Sequence, residues 1–367
     1  MLRLQVMLVI PRPRGYGMVS DVAERTVALL AKQACKARLA VGAHTIQSVG
    51  IAMPKRVPRE IDRACLTRLE KLGEGAFGEV CLYSVHEEKR HIPPYMVAAK
   101  TIKPGATFGR DELLKEAALM ALLRHRNVLG LVGIVTVPRD LPAMILLPYC
   151  EGKELFTHVL EAGPGGLTTT RRLTIAGQIA LGMQYITTRK IVHRDLAARN
   201  VLLDSTGISK VADFGMSASL VQRGKTYAAA YVRMHEEVAL RWAAPEALQH
   251  EKFSPASDVW AFGVTVWEVF SPGLAPYNDL GNGEVGAHVK SGGVLAAPLD
   301  ECTAAVYNEC MLPCWAQDPS DRPSFGDCYD AAIRNGGLED ALLLEDKMRN
   351  ADSRAKERAV VLTRASC

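Results

Sequence analysis

The sequence predicts an α+β chain of two lobes. The first is small and built on antiparallel strands with one main helix; the second is larger and mostly helical. Three observations predict this. Apolar residues alternate at strand period on both sides of a glycine-rich turn between Leu66 and Ile102. The spacing becomes helical over Arg110 to Leu123 and again, for most of the chain, after Gly152. The length of 367 residues also exceeds what one hydrophobic core commonly supports, about 250–300 residues.

Residues 1–66 carry eleven Lys/Arg against four Asp/Glu. Within them Val19 to Leu39 predicts a basic, Ala-rich helix, and Gly42 and Pro54 then break the pattern. The segment reads as a solvated flank. A membrane-surface or partner-binding role is a second reading, and the lack of acidic residues before Asp21 faintly resembles a mitochondrial transit peptide. Leu66, Leu69 and Leu72, then Val80, Leu82 and Val85, predict two strands, and Met96 to Ile102 a third. Arg110 to Leu123 predicts a helix, and Met144 to Leu147 a buried strand stopped by Pro148. Val259 to Phe270 is apolar except for Glu268 and shorter than the ~20 residues of a membrane span, so it predicts a buried helix. From Gly337 a short amphipathic helix gives way to a polar, charged end. The expected division is a flank over 1–66, a catalytic domain over 67–335 and a tail over 336–367. Within the domain the small lobe covers about 67–147, the connector 148–152 and the large lobe 153–335.

Composition excludes several classes. A hydrophobic content of 48% and a charged content of 23% are ordinary for a globular protein. The net charge of +4 is too small to argue for nucleic acid. Nine cysteines are scattered without zinc spacing, which predicts reduced thiols and a cytoplasmic protein. Val6 to Ile10 is too short for a signal-peptide core. Membrane association would come only through this basic N-terminus or a segment upstream of Met1.

Chemistry concentrates in His193-Arg194-Asp195-Leu196-Ala197-Ala198-Arg199-Asn200, followed by Asp213-Phe214-Gly215. Asp195 and Asn200 are five apart and Asp213 follows Asp195 by eighteen. Such residues supply an acceptor for a hydroxyl proton and oxygen ligands for Mg²⁺, the parts phosphoryl transfer needs. Upstream, Leu72-Gly73-Glu74-Gly75-Ala76-Phe77-Gly78-Glu79-Val80 contains GxGxxG. Dinucleotide-binding turns share that motif but open a helix, whereas Val80-Cys81-Leu82-Tyr83 continues as a strand. Glycines there let backbone amides approach phosphates. Val97-Ala98-Ala99-Lys100 offers a cation, and Glu116, sixteen residues on, offers its anchor.

Together these motifs resemble the protein kinase superfamily, over roughly residues 67–335. The resemblance implies a bilobal protein kinase fold that uses ATP with Mg²⁺, or Mn²⁺ in its place. It implies Asp195 as catalytic base, Asn200 and Asp213 as metal ligands, and Lys100, paired with Glu116, on the α- and β-phosphates. Leu72, Gly73, Gly75, Gly78, Val80 and Ala98 would line the nucleotide. Leu147 would be the gatekeeper, and the Pro148 carbonyl and Cys150 amide would meet adenine. His193 is expected to be a packing residue, Glu246 to pair with Arg322, and Asp258 to brace the catalytic-loop backbone.

Ala197-Ala198-Arg199 is similar to the tyrosine kinase family, with Arg199 reaching the region where serine/threonine kinases carry a lysine closer to the base. Arg241-Trp242, Cys314-Trp315 and Asp321-Arg322-Pro323-Ser324-Phe325 share that likeness. The substrate class implied is therefore protein tyrosine. Ala239, where the family carries proline, and Ala243 depart from the pattern at the surface presenting the substrate. The span from Asp213 to Glu246 has the length of a functional loop and holds Tyr227 and Tyr231. Phosphate on either would add charge for Arg194 to pair. A docking pseudokinase and a dual-specificity kinase are the alternatives. The sequence leaves open whether this is a receptor's cytoplasmic part or a free-standing enzyme.

Overall fold

The computed structural model describes residues 58–74, 78–88, 91–102, 109–223, 226–229, 239–299 and 302–337. They form two compact units, the first ending at Leu122 but taking in Leu131–Pro148, the second made of Leu123–Gly130 and everything from Tyr149.

The first unit is a five-stranded antiparallel sheet in the order β1-β2-β3-β5-β4. Its strands are β1 (Leu66–Glu74), β2 (Gly78–Val85), β3 (Tyr95–Ile102), β4 (Gly133–Val135) and β5 (Met144–Pro148). Alternation divides its residues between two faces. Val85, Val97, Ala99, Val135, Met144 and Leu146 make one core with Ile61. On the other face Ile134 and Ile145 pack against Leu113 and Ala117 of helix α1 (Arg110–Met120). Glu112 starts that helix by accepting from the Gly109 amide at 3.0 Å. The helix expected to reach Leu123 ends at Met120, because the Leu122 amide turns to the Leu119 carbonyl at 3.0 Å and tightens the last turn. The fifth strand runs one residue further than expected, with Pro148 opposite Val97.

A packed stretch crosses the boundary expected at residue 66. The Ile61 amide donates to the Ile134 carbonyl at 2.8 Å, and the Ile134 amide returns a bond to the Arg59 carbonyl at 2.7 Å. Glu60 accepts from the Thr136 amide at 2.6 Å and its hydroxyl at 3.0 Å. Ile61 is 1% exposed. Ile61→Ala is therefore expected to cost ~2–5 kcal/mol, read as a lower midpoint of urea unfolding; an unchanged midpoint would remove residues 58–65 from the core.

The second unit contains helices α2 (Leu155–Ala162), α3 (Thr169–Thr188), α4 (Pro245–His250), α5 (Pro255–Phe270), α6 (Asn282–Lys290) and α7 (Phe325–Arg334). Thr168 caps α3 by accepting from the Arg171 amide at 3.2 Å. Helix α5 is the buried helix expected over Val259–Phe270. It starts earlier because Ser254 and Ser257 cap each other and Pro255 suits the first turn. Every residue from Ser257 to Phe270 is buried, so α5 is this unit's core element. Short strands complete the unit: β6 (Ile191–Val192), β7 (Val201–Leu203), β8 (Ser209–Val211), β9 (Ala218–Arg223) and β10 (Thr226–Ala229). Among the described residues no helix is long and apolar enough to cross a membrane. The helices expected over Val19–Leu39 and beyond Gly337 lie outside the described residues.

Candidate functional site

In the first unit, strand register gathers the expected nucleotide residues. Val80 lies opposite Lys100, and Ala98 opposite Leu147, so all four share the sheet face that carries α1. Glu116 is 8% exposed on the sheet-facing side of α1, beside Leu113 and Ala117. Lys100 Nζ donates to its Oε1 at 2.9 Å and Oε2 at 3.1 Å. The burial makes this a fixed pair rather than a surface contact. Leu72 sits at an irregularity in the β1–β2 pairing and is exposed. The two described glycines of the loop differ. A Cβ at Gly78 would stand 1.8 Å from the Thr101 carbonyl oxygen, whereas one at Gly73 would meet no atom of the described residues within 4 Å. Gly75 lies outside the described residues. Pro148 ends β5, and Cys150, in the second unit, is buried, its thiol pushed up to about 11 by that burial.

The second unit holds the remaining groups. The His193 and Arg194 amides donate to Asp258 Oδ2 at 2.7 Å and Oδ1 at 2.9 Å, so α5 fixes the loop backbone. This supports Arg194 at φ 73, a left-handed conformation costly for a residue with a Cβ. His193 is fully buried, with Nε2 3.0 Å from the Ala212 oxygen and its ring edge-on to Phe214. Around Asp195, Arg199 Nη2 donates to Oδ1 at 2.5 Å. Asn200 Nδ2 donates to Oδ2 at 2.8 Å and to the Asp195 carbonyl at 2.7 Å. The Ala212 amide donates to the Asn200 carbonyl at 2.8 Å, extending the β7–β8 pairing and bringing the backbones at Asn200 and Asp213 alongside each other. Asp213 also has a left-handed φ of 58, and its Oδ1 accepts from the Gly215 amide at 3.2 Å. A carboxylate is an oxygen donor of the kind a hard cation takes.

The profile of the protein tyrosine and serine/threonine kinase family matches residues 66–331. The chain belongs to that family. It is 40% identical to ephrin type-A receptor 5 of Rattus norvegicus over 282 residues, 76% of this chain and 27% of that protein. It is 40% identical to ephrin type-A receptor 4-B of Xenopus laevis over 282 residues, 76% of this chain and 28% of that protein. Over 274 residues, 73% of the chain, it is 40% identical to ephrin type-A receptor 3 of Danio rerio and covers 27% of it. The kinase thus spans about a quarter of the length of these curated relatives. The family as a whole uses ATP and Mg²⁺.

Elsewhere in the kinase, Glu246 and Arg322 meet through two bonds of 2.8 Å. The Arg194 guanidinium stands 4.1 Å from the Phe253 ring centroid, and burial pushes its pKa down. Tyr227 lies in β10, its backbone opposite Gln222; Tyr231 lies outside the described residues.

Sequence reasoning missed Glu268. It is 6% exposed, and its Oε2 accepts from the Ala198 amide at 2.8 Å and from Trp242 Nε1 at 2.9 Å. The available signal was an acid within the apolar run of α5, which the sequence reading treats only as a break. Burial pushes Glu268 up to about 7 and Asp258 up to about 6, against the donors and cations that favour their charged forms. Both folded values lie above the unfolded ones. Their stabilising contribution is therefore full below pH ~4 and is lost as pH rises through about 6 and about 7. Glu268→Gln is expected to flatten the fall in unfolding free energy between pH 5 and pH 8, by up to ~3 kcal/mol. Urea titrations at both pH values check this, and parallel wild-type and variant curves would reject it.

Proposed function

We propose that the kinase transfers the γ-phosphate of ATP to tyrosine hydroxyls of protein substrates. The observation that carries the reading is Asp195, held from one side by Arg199 and from the other by Asn200. Asp195 accepts the hydroxyl proton as the oxygen attacks, and its two bonds keep the carboxylate aimed. Arg199, inside Ala197-Ala198-Arg199, orients the substrate and leaves room for a phenol.

The residues fit the nucleotide. A Cβ at Gly73 would meet none of the described residues within 4 Å, which suits a loop laid over phosphates. In the first unit Lys100, steadied by Glu116, would meet the α- and β-phosphates, and Leu72, Val80, Ala98, Leu147 and the Pro148 carbonyl would flank the base; the Cys150 amide is the further adenine contact that the resemblance implies. Asn200 and Asp213 supply the oxygen donors a hard cation takes. Bound Mg²⁺ would offset negative charge on the phosphate oxygens.

Transfer to a Glu/Tyr polymer, with none to a tyrosine-free polymer or a serine/threonine substrate, is the expected result. Equal transfer to serine or threonine would favour dual specificity, and no transfer at all would favour a docking pseudokinase. Control is proposed to run through autophosphorylation of Tyr227 or Tyr231, with Arg194 pairing the new charge. Mass spectrometry after incubation with Mg-ATP checks this, and an active preparation without phosphate at either position would sink it. We place this activity in the cytoplasm, as a free enzyme or as the inner part of a receptor like its relatives.

A further inference from the structure

We propose that Glu268 is a positioning residue that couples the segment carrying Trp242 to the catalytic loop. This rests on the reading of Asp195 as the base. The geometry is specific. A single carboxylate oxygen, Oε2, takes both the Ala198 amide at 2.8 Å and the Trp242 indole N–H at 2.9 Å. Residue 198 precedes Arg199, whose Nη2 holds Asp195 Oδ1 at 2.5 Å and whose guanidinium carbon stands 4.4 Å from the Trp242 ring centroid. Trp242 thus reaches the base along two routes. Its ring face steadies Arg199 directly. Its N–H steadies Glu268, which in turn fixes the amide one residue before Arg199. The circuit closes through Asn200, which bonds both the carbonyl and Oδ2 of Asp195.

Burial argues that this acid has a task. An ionisable group at 6% exposure is costly unless charge-assisted bonds offset its desolvation. Here both donors to it belong to functional segments: the loop bearing Asp195, and the 3₁₀ turn Ala239–Trp242 that follows Tyr227 and Tyr231. Arg241 in that turn is itself anchored, donating to the Pro276, Tyr277 and Leu280 carbonyls at 2.6, 2.7 and 3.0 Å. The turn is therefore held to the large unit at one residue, while the next reports its position to the catalytic loop. When the turn is docked, Glu268 has both donors and the Ala198 amide is held. When the turn moves away, the carboxylate loses one donor and the loop slackens.

Trp242→Phe tests this in the full chain, since phenylalanine keeps an aromatic ring while removing the indole N–H together with part of the ring system. Hydrogen exchange at the Ala198 amide is expected to speed up about tenfold, and kcat on a Glu/Tyr polymer to fall about tenfold. The KM for ATP should stay within twofold. Glu268→Gln, which keeps an acceptor oxygen, should retain more kcat than Glu268→Ala. Unchanged exchange at Ala198 in Trp242→Phe overturns the coupling, whatever happens to kcat. So does faster exchange with unchanged kcat, or a loss confined to melting temperature. If wild type transfers no phosphate, the transferase reading fails on its own, and the exchange result still decides the link between Trp242 and the loop.

Discussion

Asp195→Asn is expected to lower phosphate incorporation into a Glu/Tyr polymer by ~10²–10⁴-fold, the range that removal of a general base commonly costs. The substitution is close to isosteric. An amide at 195 still offers one oxygen to Asn200 or Arg199, which now bond the two carboxylate oxygens at 2.8 and 2.5 Å. What it loses is charge and the capacity to take a proton. The KM for ATP should therefore change little, and the melting temperature should stay within a few degrees. Equal rates for wild type and variant would defeat Asp195 as base, and with it the transferase reading. A matched fall in stability and activity would instead make Asp195 a structural carboxylate.

The second large effect is on stability. Arg322→Ala is expected to cost ~3–5 kcal/mol, because it strands partners in a buried place. Its side chain is fully buried, and Nη1 and Nη2 each donate to Glu246 at 2.8 Å. Nη1 also donates to the Ala256 carbonyl, and Nε to the Ala316 carbonyl, both at 2.9 Å. Removing the guanidinium leaves a carboxylate and two carbonyls without these donors, beside the Trp260 ring it now covers. Arg322→Met combined with Glu246→Gln should recover part of the loss, since no uncompensated charge then remains. Urea unfolding of wild type, Arg322→Met, Glu246→Gln and the double variant measures the coupling. A single-variant loss below ~1 kcal/mol would show that the pair contributes no more than a surface contact.

The legible parts of the chain were those whose chemistry fixes their spacing. Motif spacing put Lys100 with Glu116 and Asp195 with Asn200, and hydrogen bonds join each pair; their part in phosphoryl transfer, with that of Asp213, is the proposal made above. Long elements were legible for a different reason: β1 to β3, α1 and α5 repeat their pattern often enough to show a period. Strand β4, with three residues, does not, and neither do β6 to β8, whose pairing partners are chosen by tertiary context. Residues 58–65 look like a basic flank, because one buried isoleucine and one half-buried glutamate carry no periodicity. Glu268 was hidden by the opposite problem. Its neighbours announced a buried helix so strongly that the acid within it read as an interruption, although its partners lie far off in sequence at Ala198 and Trp242.

Helix α5 holds the catalytic loop at two places, through Asp258 at His193 and Arg194 and through Glu268 at Ala198. The loop's dimensions are thereby copied from a rigid ruler rather than set by its own backbone preferences. Glu268 stands ten positions after Asp258 on the helix, about 15 Å of rise. Inserting or deleting a single residue between them would swing one acid about 100° around the axis relative to the other. Point substitutions in that interval can be absorbed by repacking, but a change in its length cannot. The count of residues between Asp258 and Glu268 is thus as much a part of the catalytic apparatus as the identity of either.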